Sequence, residues 1–301
     1  MPDNAATPLV SAVIVSYNRR DDLRETLSML SLQHYKNLEI IVVDNASADG
    51  TAAMISELVL PNLRLIQMEE NVGVKAYNRG FEAANGEYIL ILDDDSFPAP
   101  DAIEKMIEKF NRYPEVGIVS FTVKDYSTFK NNSPAVAAST AGDTDFNDDY
   151  IMSFHGAGAG VRRDVLKKAG GYPEEFFLYF NETDMALRVW NAGFRIESFP
   201  DVVCYHKSSM TNRTSERGPF YYTRNIFWTI WKNYPGLLMW KATLLMLFYV
   251  FYYAFEQRTF IYIRAFFDAV VNVRMITRNP IRTQIARRFR MHYKTPFTMF
   301  R

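Results

Sequence analysis

The chain has 301 residues, nearly half of them apolar, which is enough to bury a sizeable core and argues against disorder. Lysine plus arginine and aspartate plus glutamate balance at 34 each, which argues against a general polyanion binder and therefore against nucleic acid as a partner. The balance hides an asymmetry, because Gln257 to Arg301 holds ten Lys or Arg and one acid, Asp268. The lone Cys204 fits a reducing compartment. Met1 to Pro8 lacks a basic and then apolar leader pattern, so the expected location is cytoplasmic.

In chain order, Val10 to Val15 reads as a buried strand and Asp21 to Leu30 as an amphipathic helix. Leu38 to Val43 is a second strand, followed by a loop from Asp44 to Ser47 and a helix from Asp49. Leu63 to Met68 and Glu87 to Leu92 are further strands, the latter running straight into Asp93-Asp94-Asp95. A helix over Asp101 to Tyr113 and a strand over Val116 to Val123 come next. Alternating helices and near-continuous apolar strands predict an α/β domain whose parallel sheet is covered on both faces. Ligands then gather outside the carboxyl ends of the strands, where both Asp44 and the Asp triplet fall.

Tyr126 to Tyr150 is polar and aperiodic and reads as a long loop. A short helix from Arg163, a helix over Glu182 to Ala192, and strands near Phe194 to Phe199 and Val202 to His206 follow. Beyond Pro219 aromatics crowd the chain to Phe267, which puts a domain boundary near Ser215: residues 1–215 as a catalytic unit and 216–301 as a helical, aromatic and basic region.

The triplet carries the most chemistry. Three adjacent carboxylates repel one another unless something neutralises them, and a divalent cation does so while also holding a diphosphate. Asp93 and Asp95 project the same way if the backbone stays extended; a solvated acidic turn is the bland alternative. Within Asn181-Glu182-Thr183-Asp184 an acid beside the aromatic run Phe176 to Phe180 suits a general base, or simply caps the following helix. His206 at a strand end is a candidate metal ligand or a hydrogen-bonded loop residue. Asp44, with Ser16, Tyr17 and Asn18 at the preceding strand end, is placed to take the imide edge and face of a uracil or thymine base, or to cap its loop.

From Pro8 to Ser209 the chain resembles the inverting glycosyltransferases of family 2, which have the GT-A fold. The matching pieces stand in order: Val13 to Arg19, Val42 to Thr51, Asn71-Val72-Gly73 with Asn78-Arg79-Gly80, Leu92 to Asp95, Gly170-Gly171-Tyr172, Asn181 to Asp184 with Arg188 and Gly193, and His206. The resemblance implies a Rossmann-like, mostly parallel GT-A sheet with an appended helical extension. It implies base contact at Asp44 and donor contacts at Ser16, Tyr17, Asn18, Asn71, Asp93 and Asp94. It further implies a Mg2+ or Mn2+ ion on Asp93, Asp95 and His206. Lys75 falls where it could touch the donor's phosphates. The family usually has Glu-Asp-x-Asp where this chain has Asn181-Glu182-Thr183-Asp184, so Glu182 takes the usual base position and Asp184 is its rival. The Gln-x-x-Arg-Trp motif of polymerising synthases is absent, which implies transfer of one sugar, from a UDP- or dTDP-sugar, to a glycan or lipid-linked acceptor. A nucleotidyltransferase is disfavoured by the lack of glycine in Ser16 to Arg20; the remaining alternative is a non-catalytic membrane scaffold on a degenerate fold.

The region from Tyr221 to Phe267 admits three readings: a bundle packed on the core, helices lying peripherally in an anionic membrane interface, or a span through Leu237 to Phe255. A basic tail including Arg274, Arg278, Arg282, Arg287, Arg288 and Arg290 favours the interfacial reading over a span that would carry it across.

Overall fold

The computed structural model describes residues 7–131, 152–207, 216–289 and 293–298. Most of the stretch from Tyr126 to Tyr150, the expected boundary at Ser215, and Arg290 therefore lie outside the described residues. In chain order the elements are β1 (Val10–Ser16), α1 (Arg20–Ser31), β2 (Leu38–Asp44), α2 (Thr51–Glu57), β3 (Leu63–Gln67), α3 (Ala76–Ala83), β4 (Tyr88–Asp93), β5 (Ser96–Pro98), α4 (Ala102–Arg112) and β6 (Val116–Asp125). They continue as α5 (Tyr126–Asn131), β7 (Ala159–Arg162), α6 (Arg163–Ala169), α7 (Asn181–Asn191) and β8 (Arg195–His206). Helices α8 (Arg217–Asn233), α9 (Gly236–Glu256), α10 (Ile261–Val271), α11 (Thr283–Arg288) and α12 (Thr295–Thr298) complete the chain.

Eight strands form one mixed sheet in the order β3-β2-β1-β4-β7-β6-β8-β5. The first four are parallel, as the strand-helix alternation predicts, and β6 runs parallel to β8. Strand β7 is antiparallel to both neighbours, and β5 is antiparallel to β8. The start of the expected loop at Tyr126 is instead a short helix, α5. The two strands expected near Phe194 and Val202 are a single strand, β8, whose partner register on β6 jumps from Phe199 to Val203. Pro200 sits in that jump; lacking an N–H it cannot continue the ladder, and the strand bulges around it.

Period-two side chains split the core into two layers. Val10, Ala12 and Ile14 of β1, with Leu90 and Leu92 of β4, pack under Leu23 and Leu27 of α1 and Met106 and Phe110 of α4. The alternate residues Val13, Ile89 and Ile91 face Tyr77 and Phe81 of α3 and Met185 and Val189 of α7. A third cluster joins Phe176, Phe180 and Leu187 to Ile226, Phe227 and Trp228 of α8 and Met246 and Val250 of α9. The C-terminal helices thus share a core with the segment that leads into α7.

Candidate active site

Adjacent strands end together at one edge of the sheet. The β1–β2 register sets Ser16 opposite Asp44, and the β1–β4 register sets Val15 opposite Asp93. Asp44 is buried and accepts a hydrogen bond from the Ser47 amide at 3.0 Å. Asn18, with a positive φ of 52°, accepts from the Ala48 amide at 2.7 Å and so ties the first two strand-end loops together. Tyr17 beside it is open to solvent. Asn71 is fastened by the Asn45 side-chain amide at 2.9 Å, and Asn45 in turn accepts from the Val72 amide. Gly73 then passes so close to the Phe177 carbonyl, with φ at +64°, that a side chain there would collide with it. The Val74 amide donates to that carbonyl at 2.9 Å.

Strand β4 ends at Asp93, and Asp94 and Asp95 form a turn before β5, so the extended backbone assumed for the triplet does not persist. The Ser96 hydroxyl closes this turn against the Asp93 amide at 3.0 Å. The three carboxylates consequently have three environments. Asp94 turns inward to the Ser16 hydroxyl at 2.9 Å and the Arg19 guanidinium at 3.2 Å. Burial pushes its pKa up to about 7 against the pull of Arg19. Asp95 is almost fully buried, at 2.7 Å from Arg19 and 3.0 Å from His206 Nε2. Burial works to raise its pKa, but His206 and Arg19 outweigh it and hold the group well below the usual carboxylate range. Asp93 reaches the solvent edge, and its pKa is raised by desolvation and by the charge of Asp95. The Tyr77 hydroxyl donates to the Leu92 carbonyl at 2.9 Å and lies 3.2 Å from Asp93 Oδ1.

Antiparallel pairing of β5 with β8 sets His206 opposite Ser96, one residue from Asp95. Ligand atoms of Asp93, Asp95 and His206 therefore lie within 4.8 Å of one another. Two carboxylate oxygens and one imidazole nitrogen, partly open on the Asp93 side, are a donor set that fits a hard or borderline divalent cation such as Mg2+ or Mn2+.

A cavity of about 810 Å³ runs from Asp93 to Glu182, with Thr122, His155, Tyr179 and Tyr222 among its walls. Glu182 occupies the first turn of α7. Burial, assisted by the charge of Asp93, pushes its pKa up to about 7. Gly156 packs directly on its carboxylate, and a Cβ there would overlap Glu182 Oε1. Asp184 is elsewhere. It is fully buried, bonded to Asn233 Nδ2 at 2.7 Å and paired with Arg188 at 3.0 Å and Lys232 at 3.4 Å. Lys75 is also displaced from the cavity: it pairs with Glu174 at 3.2 Å on the wall of a separate groove with Arg64 and Asn78.

Three contributors escaped the sequence reading. Arg19, the last residue of the family-like stretch Val13 to Arg19, neutralises Asp94 and Asp95. Tyr77 reaches the triplet from α3. Asn225 of α8 donates to the carbonyls of Leu178 and Tyr179 at 2.7 and 2.8 Å, holding a turn in which Tyr179 and Phe180 both have positive φ, 65° and 70°. Consecutive non-glycine residues in that region are strained and persist only when tertiary contacts enforce them. The signal for Asn225 was an amide placed among the aromatic residues of the helix.

The profile described as Glycosyl transferase family 2 matches residues 11–170, more than half of the chain. The chain belongs to glycosyltransferase family 2. Among curated relatives, the succinoglycan biosynthesis protein ExoO of Rhizobium meliloti is 36% identical over 103 residues, which is 34% of this chain and 30% of that protein. The uncharacterized glycosyltransferase YwdF of Bacillus subtilis is 28% identical over 218 residues, covering 69% of this chain and 78% of its own. The chain spans 30% and 41% of the first two curated relatives it matches. Among solved structures, the mannosyltransferase PcManGT of Pyrobaculum calidifontis, in complex with GDP-Man and Mn2+, superposes with a TM-score of 0.59 at 25% identity, over 76% of this chain and 65% of that one. S. aureus TarS with UDP-GlcNAc, at 18% identity and a TM-score of 0.53, shares the fold of this family 2 chain over 74% of its length and 66% of that structure. Together these neighbours establish a GT-A glycosyltransferase fold.

Proposed function

We propose that this protein is an inverting, metal-assisted glycosyltransferase that moves one sugar from a UDP- or dTDP-sugar to a hydroxyl of a glycan or lipid-linked acceptor. The observation that carries the reading is the single cavity that joins Asp93 to Glu182. In the proposed geometry the base of the donor lies against Asp44 and Tyr17, with Ser16, Asn18 and Asn71 shaping the strand-end loops around it. The pyrophosphate lies toward Asp93 and Asp95. Asp94 faces away from the donor and acts through Arg19 and Ser16 to position its neighbours. Asp93, Asp95 and His206 would hold a divalent cation, which when bound would supply positive charge where the diphosphate leaves.

Glu182 is the proposed base. Its pKa near 7 lets it accept the acceptor's hydroxyl proton as the oxygen attacks the anomeric carbon from the face opposite the diphosphate, inverting that centre. Asp184 is not assigned this role, because two cations and an amide occupy its carboxylate inside the protein. Lys75 is likewise left out, since its ion pair lies in another groove. The buried free thiol of Cys204 is in keeping with a cytoplasmic, reducing location.

Calorimetric titration of UDP and dTDP with and without Mn2+, alongside donor hydrolysis, tests the proposal. Nucleotide binding should strengthen with the ion, and Asp95→Ala should abolish both that gain and turnover. Metal-independent or absent nucleotide binding by the unaltered protein overturns it and favours the scaffold reading.

A further inference from the structure

Apolar exposure is concentrated in one part of this molecule. Of seventeen large apolar side chains exposed among the described residues, fourteen lie between Leu237 and Met275. On α9 the exposed residues include Leu237, Trp240, Leu244, Phe248, Phe251 and Phe255, which recur at helical spacing along one face. The opposite face, with Ala242, Met246 and Val250, is seated in the core cluster shared with α8 and α10. At 21 residues α9 is roughly 30 Å long, so the uncovered face is a stripe of that length. Phe260, Phe267 and Val271 of the α10 region are exposed as well, Val271 at 76%.

The charges along this part of the chain are mainly positive, although Glu256 at the end of α9 is an exposed acid. From residue 236 to 289 there are eight Lys or Arg and two acids, Glu256 and Asp268. Asp268 faces Arg224 at 3.5 Å. Lys241, Arg258, Arg264 and Arg274 are exposed.

We propose that the α9–α10 face docks in the plane of a bilayer, with its aromatic and aliphatic side chains in the acyl-headgroup boundary and the surrounding cations on anionic headgroups. A second copy of the chain is the poorer occupant, because a symmetric contact would set this cationic rim against itself. A transmembrane path for α9 is also excluded by what it is attached to. Among the described residues α9 is the one helix long and apolar enough to cross, but a third of its apolar window is buried in the protein. Its inner face packs on α8, whose Asn225 and Lys232 are committed to the segment from Glu175 to Asp184. Crossing would tear that packing or draw buried ion pairs into hydrocarbon. In-plane docking buries the exposed stripe and leaves the core contacts intact. The inference is independent of the transferase reading and stands or falls without it.

Flotation of the full chain with vesicles tests this. The protein should float with phosphatidylcholine vesicles that contain phosphatidylglycerol, less with phosphatidylcholine alone, and less at high salt. Brominated acyl chains should quench Trp240, and Trp240→Phe should remove that quenching. Phe248→Glu combined with Phe255→Glu alters two exposed positions and should lower vesicle affinity at least about tenfold while the thermal midpoint is kept. Arg258→Glu with Arg264→Glu should weaken binding to anionic vesicles selectively. Three results overturn the proposal: no flotation with either vesicle, resistance of the bound protein to alkaline carbonate extraction, or a dimer that the Phe248 and Phe255 changes dissociate with no vesicle binding by either form.

Discussion

Asp184 and Asp95 are both acids withdrawn from bulk water, and their surroundings divide their work. Around Asp184 the protein has supplied a complete set of partners: Arg188 from its own helix, and Lys232 and Asn233 from α8. Nothing is left over for a ligand, and the cluster fastens α7 to the C-terminal helices. Around the triplet the protein supplies Arg19 and His206 but leaves Asp93 at the mouth of a cavity, opposite Glu182. Carboxylates that a fold fully neutralises hold it together; those it half neutralises are available to a cation or a proton.

The comparison can be broken most sharply at Glu182 and Asp184, two residues apart on α7. Glu182→Gln should lower kcat by about 10²- to 10⁴-fold with the melting temperature kept or raised, because a proton acceptor is lost and no ion pair is. In the unaltered enzyme kcat should climb as pH rises toward about 7 and flatten above it, since the ionised form is the base. Stability should move the other way. Between the ordinary glutamate range and about 7 the native carboxyl holds a proton that the unfolded chain has released, so unfolding free energy falls as pH rises through that window. Asp94, also raised to about 7, contributes to the same slope, so Glu182→Gln should reduce it without abolishing it in chemical denaturation; an unchanged slope would leave Asp94 as the titrating group.

Asp184→Asn should give the converse pattern. Arg188 and Lys232 would lose a buried counter-charge, costing about 3–5 kcal/mol in denaturant unfolding. Donor hydrolysis per folded molecule should be largely retained under stabilising conditions, and loss of activity without loss of stability would move the base to Asp184.

Asn225→Ala probes the seam between the two regions with the smallest expected effect. Releasing Tyr179 and Phe180 from their positive-φ turn should lower kcat by about tenfold, in line with 1–3 kcal/mol of strain no longer enforced, with the donor KM little changed. A KM effect alone would assign Asn225 to donor binding instead of positioning of Glu182.

Much of this protein was legible in its residues. Continuous apolar runs and intervening amphipathic helices specify the parallel half of the sheet, because a strand buried on both faces admits little else. Asp44 and the triplet were readable as strand-end acids from local order alone, and Glu182 as an acid in the first turn of a helix beside an aromatic run. The reversed strand β7 was not readable, since the four residues Ala159 to Arg162 carry no direction. Nor was the partition of roles among acids, because Asp184 is answered by residues nearly fifty positions later and Asp95 by His206 across a strand pairing. The three readings of the aromatic region had the same composition, and only packing separated the buried face of α9 from the exposed one. Local sequence determined which segments could be strands and helices and which acids stood at their ends. Tertiary structure decided which charges were neutralised and which apolar faces remained open, because both depend on neighbours that are distant along the chain.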